Sequence, residues 1–294
     1  MIKIWFAGII VLILLSGHWV YACSTCLAGD PTLTLMGTEK SYLGRLRIAG
    51  ETLYRTETMG EANINQSKLH EQRFTLGLAY AWNERLNLAI RLPLVHKHLD
   101  YISLATEQTT GLGDVELVTK YTLSNQEKRH EHLFGVLAGL RLPTASEQEN
   151  HGKALDIDVQ PGTGAWVPQA GVWYGRYRFP WFFYASSVIH LATEGFQDFQ
   201  AGTAVVTTFT TQYALNYNIA IQLGLDTRWS EHNQFADKVD PNSGGWLALL
   251  SPALVVKVAE DMLCHLVVQI PTLENLSGHH EEGTIVQLGI TYDF

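Results

Sequence analysis

Three groups of residues in this 294-residue chain could do chemistry by type and spacing. Cys23-Ser24-Thr25-Cys26 is a C-x-x-C. A local disulfide, a lipid on Cys23, a redox pair and a metal site all start from such a pair. A redox pair needs a thioredoxin-like βαβ frame, which the flanking sequence lacks. Haem attachment needs a His after the second Cys, where Leu27 stands, and zinc needs two further ligands nearby. A disulfide and lipidation of Cys23 stay open. Ser186, Ser187 and His190 hold a nucleophile and a base on one segment, but Ser186 and His190 are four residues apart, too far for a direct hydrogen bond in a strand. No G-x-S-x-G is present, so the chain reads as a non-enzyme. His279-His280-Glu281-Glu282 could bind a divalent cation, but as a run within one loop it reads first as polar surface. Cys264 stands alone and reads as inert, and no cofactor is expected.

The elements that must position these residues follow from composition. Charged residues are 17%, hydrophobic ones 46%, aromatics 11%, and the net charge is −9. That charged fraction is below the ~25% of ordinary soluble domains, and the acidic balance excludes a nucleic-acid partner. Mean hydropathy is near zero, which excludes a bundle of membrane helices. A barrel whose apolar and polar residues alternate satisfies both facts. Residues 1–22 read as a secretory signal: Lys3, an apolar run from Ile4 to Leu15, and Val20-Tyr21-Ala22 before the cleavage point. Its removal takes Lys3 with it and leaves −10.

From residue 43 the pattern has period two. Phe74, Leu76, Leu78, Tyr80 and Trp82 alternate with Arg73, Thr75, Gly77, Ala79 and Ala81, and Val286 to Phe294 repeats the pattern. The spacing predicts twelve strands at 43–57, 71–82, 85–97, 113–123, 132–143, 166–176, 181–192, 203–215, 218–229, 246–258, 262–271 and 283–294. Short and long connections alternate, as in outer-membrane barrels. The fold class expected is therefore an all-β, antiparallel up-and-down transmembrane barrel over 43–294, preceded by a periplasmic segment over 23–42. An even strand count places both termini on the periplasmic side. Tyr80, Trp82, Tyr121, Tyr174, Tyr177, Trp181, Tyr213, Tyr217, Tyr292 and Phe294 cluster near the short turns as an aromatic girdle. Pro252 falls inside the tenth strand and predicts a bulge there.

If the apolar set faces lipid, the other set lines the lumen. Candidate lumen residues are Arg45, Arg47, Glu51, Arg55, Arg73, Arg91, Asp114, Glu116, Lys120, Arg141, Asp226, Arg228 and Asp293, eight basic and five acidic. Such charges brace a narrow barrel as ion pairs, or form a mildly positive wall that favours anions. The partners expected are the outer-membrane bilayer, the barrel-assembly machinery and a small-molecule solute.

Thr110-Gly111-Leu112-Gly113-Asp114 with Lys120-Tyr121, then Gly139-Leu140-Arg141-Leu142-Pro143-Thr144, then Gln160-Pro161-Gly162-Thr163-Gly164 follow in order. This set resembles the MetA-pathway phenol-degradation family of outer-membrane transporter-like barrels, over residues 70–294. That family is distantly similar to fatty-acid and aromatic-hydrocarbon channels of the outer membrane. The resemblance implies passive passage of small solutes, hydrophobic or aromatic ones among them. The C-x-x-C is not part of it. A structural barrel that docks a periplasmic partner through the 23–42 segment is the alternative, and an outer-membrane hydrolase using Ser186 a more distant one.

Overall fold

The computed structural model describes residues 44–124 and 131–294. The signal 1–22, the 23–42 segment with Cys23 and Cys26, and most of the turn after the fourth strand lie outside the described residues.

Alternation over long stretches builds twelve barrel strands. They are β1 (Leu46–Met59), β2 (Ser67–Ala81), β3 (Leu86–Tyr101), β4 (Glu116–Thr122), β5 (His132–Arg141) and β6 (Val167–Arg178). Then come β7 (Trp181–His190), β8 (Ala204–Ala214), β9 (Ile219–Ser230), β10 (Gly245–Ala259), β11 (Met262–Leu276) and β12 (Ile285–Asp293). Two short strands of the same sheet continue β4 and β12 outward: Thr106–Leu112 pairs with β3, and His280–Glu282 pairs with β1. All neighbours are antiparallel and consecutive. The sheet closes because β1 pairs with β2 from Leu46↔Tyr80 to Met59↔Ser67, and with β12 from Arg47↔Asp293 to Tyr54↔Val286. Closure leaves no open edge, the condition a sheet must meet to sit in hydrocarbon.

The two faces separate by residue type. Phe74, Leu76, Leu117, Val172, Phe209 and Leu223 are among the exposed outward residues, while Arg47, Arg55, Glu71, Thr208 and Asp226 are buried inside. An apolar outer wall of this extent is stable only under lipid. At the short-turn end the girdle forms as ring pairs: Trp181 with Tyr213 at 4.7 Å, Tyr292 with Phe294 at 4.6 Å and Phe179 with Tyr217 at 6.0 Å. Tyr177 departs from the expectation. Strand alternation turns it inward, where it packs against the buried cluster of Leu133, Leu137, Trp173 and Tyr184. Two short turns are closed by asparagine: Asn83 Oδ1 accepts from Arg85 N and Leu86 N, and Asn216 Oδ1 from Asn218 N and Ile219 N.

Several strands run further outward than their apolar patterns suggest. Loops expected over 98–112 and 272–282 are mostly strand and the one over 58–70 shrinks to 60–66: β1 ends at Met59, β2 begins at Ser67, β3 reaches Tyr101 and β11 reaches Leu276. Alternation continues there with polar outward residues, such as His96 and His98 beside buried Val95, Lys97 and Leu99. The long connections that remain, 142–166, 191–203 and 231–244, follow β5, β7 and β9. The bulge expected at Pro252 is displaced. Pro252 keeps register with Leu223 of β9, and the shifts against β11 fall at Ala248/Leu249 and Lys257/Ala259. Proline removes one donor from the ladder without adding a residue, so pairing lapses locally but register survives.

Candidate functional site

The lumen is filled in three polar tiers. Nearest the short turns, Arg47 Nε donates to Asp293 Oδ1 at 2.6 Å and its Nη2 to Oδ2 at 2.5 Å, a bidentate pair across the β1–β12 seam. Arg45 is buried beside this level. The Lys120 ammonium lies 4.2 Å from the Trp173 ring centre and 4.9 Å from that of Tyr184, whose rings stack.

In the middle tier Arg91 Nη1 donates to Glu116 Oε2 at 2.8 Å and lies 3.6 Å from Glu51. Gln169 Nε2 donates to the other Glu116 oxygen at 2.6 Å, and His265 sits 3.7 Å from Glu51. Across the barrel Asp226 accepts from Thr208, Ser251 and Gln269 at 2.7, 2.5 and 3.2 Å. In the outer tier Arg55 meets Glu71 at 2.9 Å, Glu282 at 3.5 Å and Glu57 at 3.6 Å, while Arg73 pairs with Glu71. Charges paired at this density hold the wall in register. Truncating one partner leaves the other stranded, at a cost of about 3–5 kcal/mol where burial is complete.

All thirteen candidate lumen residues are therefore buried or half-buried on the inner side. Glu57, Glu71, Lys97 and Glu282 join them; the first three are end residues of the strands expected over 43–57, 71–82 and 85–97, and Glu282 stands just before the one expected to begin at 283. Glu57, Glu71 and Lys97 share strand parity with Arg55, Arg73 and Arg91, which is the signal that could have found them, whereas Glu282 sits on a separate short strand out of phase with the inward set of β12. With them the wall is close to charge balance, which corrects the expected positive lean of the lumen as a whole.

The loop 142–166 turns inward across the outer half of the lumen. Its residue Val159 is fully buried against Met59, Leu69 and Leu99, from the outer ends of β1, β2 and β3. Asp114 ties the loop down at both ends: its carboxylate accepts from Ala145 N at 3.0 Å, Thr163 N at 2.8 Å and Gly164 N at 3.2 Å. Thr144 Oγ accepts from Val115 N at 2.8 Å, and Gln160 bridges Gln148 and Leu155. From outside, Glu107 accepts from Asp156 N at 3.0 Å, Gln197 donates to Leu155 O at 2.8 Å, and Lys97 donates to Asp158 O at 2.8 Å.

The glycine motifs meet at this anchor. A Cβ on Gly111 would stand 3.2 Å from the Pro161 ring, one on Gly113 2.9 Å from Pro161 O, and one on Gly162 2.7 Å from the Asp114 carboxylate. Side chains at these positions would push loop and wall apart. Asp114, read from sequence as a wall charge, is thus a loop anchor. Beneath the loop lies a cavity of about 150 Å³, reached by residues of β2 to β9, by the loop itself, by Ala192, Ala201 and Gly202 of 191–203 and by Asn233 of 231–244.

The remaining candidates do not converge. His279 lies in a tight turn, where its carbonyl accepts from Gly60 N, and His280 belongs to the strand pairing with β1. Glu282 points into the Arg55 cluster while Glu281 is exposed, so the His-His-Glu-Glu run is split between faces. Among the described residues no three His, Cys, Asp or Glu side chains gather as a metal site. Ser187 faces outward and shares a hydrogen bond with Thr207 at 3.0 Å, leaving Ser186 and His190 on the lumen face.

No protein-family model matches the chain, and no curated protein does. Solved structures share its fold. An outer-membrane channel from Pseudomonas putida F1 aligns over 90% of this chain and 100% of its own at 13% identity and a TM-score of 0.69. The translocator domain of the autotransporter NalP from Neisseria meningitidis aligns over 90% and 93% at 9% identity and a TM-score of 0.53. The CymD monoaromatic hydrocarbon channel aligns over 94% and 97% at 12% identity and a TM-score of 0.47. At these identities the likeness of the first two is one of fold alone, a closed antiparallel β-barrel.

Proposed function

We propose that this chain is an outer-membrane channel through which small solutes, hydrophobic and aromatic ones among them, cross by diffusion. The inward loop 142–166 sets the width of the path. One observation carries the reading: the loop enters the lumen and is fastened there by Asp114, yet leaves a cavity beneath it. A barrel with only a bracing role would need neither an anchored inward loop nor residual space. The apolar outer wall and the girdle support insertion in an outer membrane with the short-turn end, and both termini, in the periplasm. Insertion then involves the barrel-assembly machinery. The motif resemblance to the MetA-pathway family supports aromatic solutes. We also assign Cys23 and Cys26 to a periplasmic segment after a cleaved signal, with a disulfide between them or a lipid on Cys23 as the two alternatives. Intact mass of the purified chain, before and after reduction, separates the two, and a chain still carrying residues 1–22 would contradict the assignment.

Swelling of proteoliposomes in solutes of graded size tests the channel. The expected result is uptake that falls steeply with solute size. Absence of uptake for every solute, in vesicles shown to hold folded barrel, would overturn the reading.

A further inference from the structure

Five cationic side chains and three carboxylates line the cavity beneath the loop. Most of these charges are already engaged. Asp114 is spent on the loop backbone, Glu116 is held by Arg91 and Gln169, Arg73 pairs with Glu71, and Lys97 is bound to the Asp158 carbonyl. Two guanidiniums remain. Arg141 is the register partner of Glu116, but that carboxylate turns toward Arg91, and among the described residues no carboxylate lies within 4.0 Å of Arg141. Arg228, on β9, donates to Ser230 at 3.2 Å, and its buried Nη1 has no partner. Val95, Ile157, Pro161, Val167 and Val206 supply an apolar surface in the same cavity.

We propose that this cavity is a binding site for a small organic anion with an apolar body, an aryl or short alkyl carboxylate, whose head is taken by Arg141 and Arg228. The assignment rests on the channel reading and names its substrate class. Glu116 and Asp114 act on Arg141 only from beyond ion-pair distance, and a guanidinium with no carboxylate in contact keeps its donors available and binds a planar carboxylate in bidentate fashion. The apolar surface disfavours small hydrated inorganic anions and rewards a hydrocarbon body. Charge balance over the whole lumen does not oppose this, because the balance elsewhere is made by closed pairs.

Benzoate and benzamide have nearly the same shape and differ in charge, so their relative flux into proteoliposomes isolates the head group. The intact barrel should pass benzoate several-fold faster than benzamide. Arg141→Gln with Arg228→Gln should bring the ratio down to near unity, as expected for losing charge-assisted hydrogen bonds. Benzamide flux should hold. Arg141→Lys with Arg228→Lys should keep part of the preference. A ratio near one in the intact barrel, or a preference that survives the double glutamine variant, would overturn the proposal while leaving a channel. Absence of flux for both solutes would instead remove the channel reading beneath it. Should the double variant fail to fold, Arg228→Gln alone and the ratio of the intact barrel decide.

Discussion

Asp114 gathers three backbone donors from two ends of one loop, and its removal is the sharpest single change available. Hydrogen bonds to a charged acceptor contribute about 1.5–3 kcal/mol each, so Asp114→Ala should free the loop without unfolding the wall. Single-channel recordings should show larger and noisier conductance, with unchanged heat-modifiable migration on gels. Gly162→Val should act in the same direction, since its side chain would occupy the space of the Asp114 carboxylate. Parity was enough to place Asp114 inward. Its anchoring role was not legible, because the loop that satisfies it comes from residues 31 to 50 positions away. Glu57, Glu71 and Lys97 stand at the very ends of the expected strands, where neighbouring outward positions such as His70 and His96 are polar and the apolar/polar contrast that assigns a face is lost; Glu282 lies on a separate short strand out of phase with β12.

At the scale of elements, period two located the twelve strands to within a few residues at most ends. Their outer extensions were lost, because above the lipid the outward face no longer needs to be apolar. The same reasoning sorts substitutions on β9. Leu223 is exposed outward and Gln222 faces inward. Leu223→Arg should destabilise the barrel by about 2–4 kcal/mol, the cost of a lipid-facing charge near the midplane, whereas Gln222→Arg should leave stability nearly unchanged. Urea unfolding in lipid vesicles measures both. Equal losses for the two variants would place the in/out assignment of β9 in error. The β10–β11 pairing illustrates a limit of local reading: Pro252 marks a missing donor, but the bulges lie where Ala248 and Lys257 meet their partners.

Across the whole molecule, the low charge and neutral hydropathy come from averaging an apolar outer wall with a polar, nearly balanced lumen. The acidic excess of the chain therefore lies outside the lumen. Closure depends on β1, which pairs both ways and carries Arg47, Glu51 and Arg55 into the three tiers. Which loop enters the barrel could not be read from the sequence, since three long connections of similar polarity follow β5, β7 and β9. All three reach the cavity, but 142–166 is set apart by the packing of Val159, the reach of Asp114 and the bond from Lys97 to Asp158 O. The most direct test is single-channel conductance in planar bilayers, comparing the intact barrel with a variant in which residues 144–164 are replaced by a short turn. Small, discrete conductance steps from the intact barrel and markedly larger ones from the shortened variant are the predicted result. Equal conductance in the two, or none in either, would contradict the account.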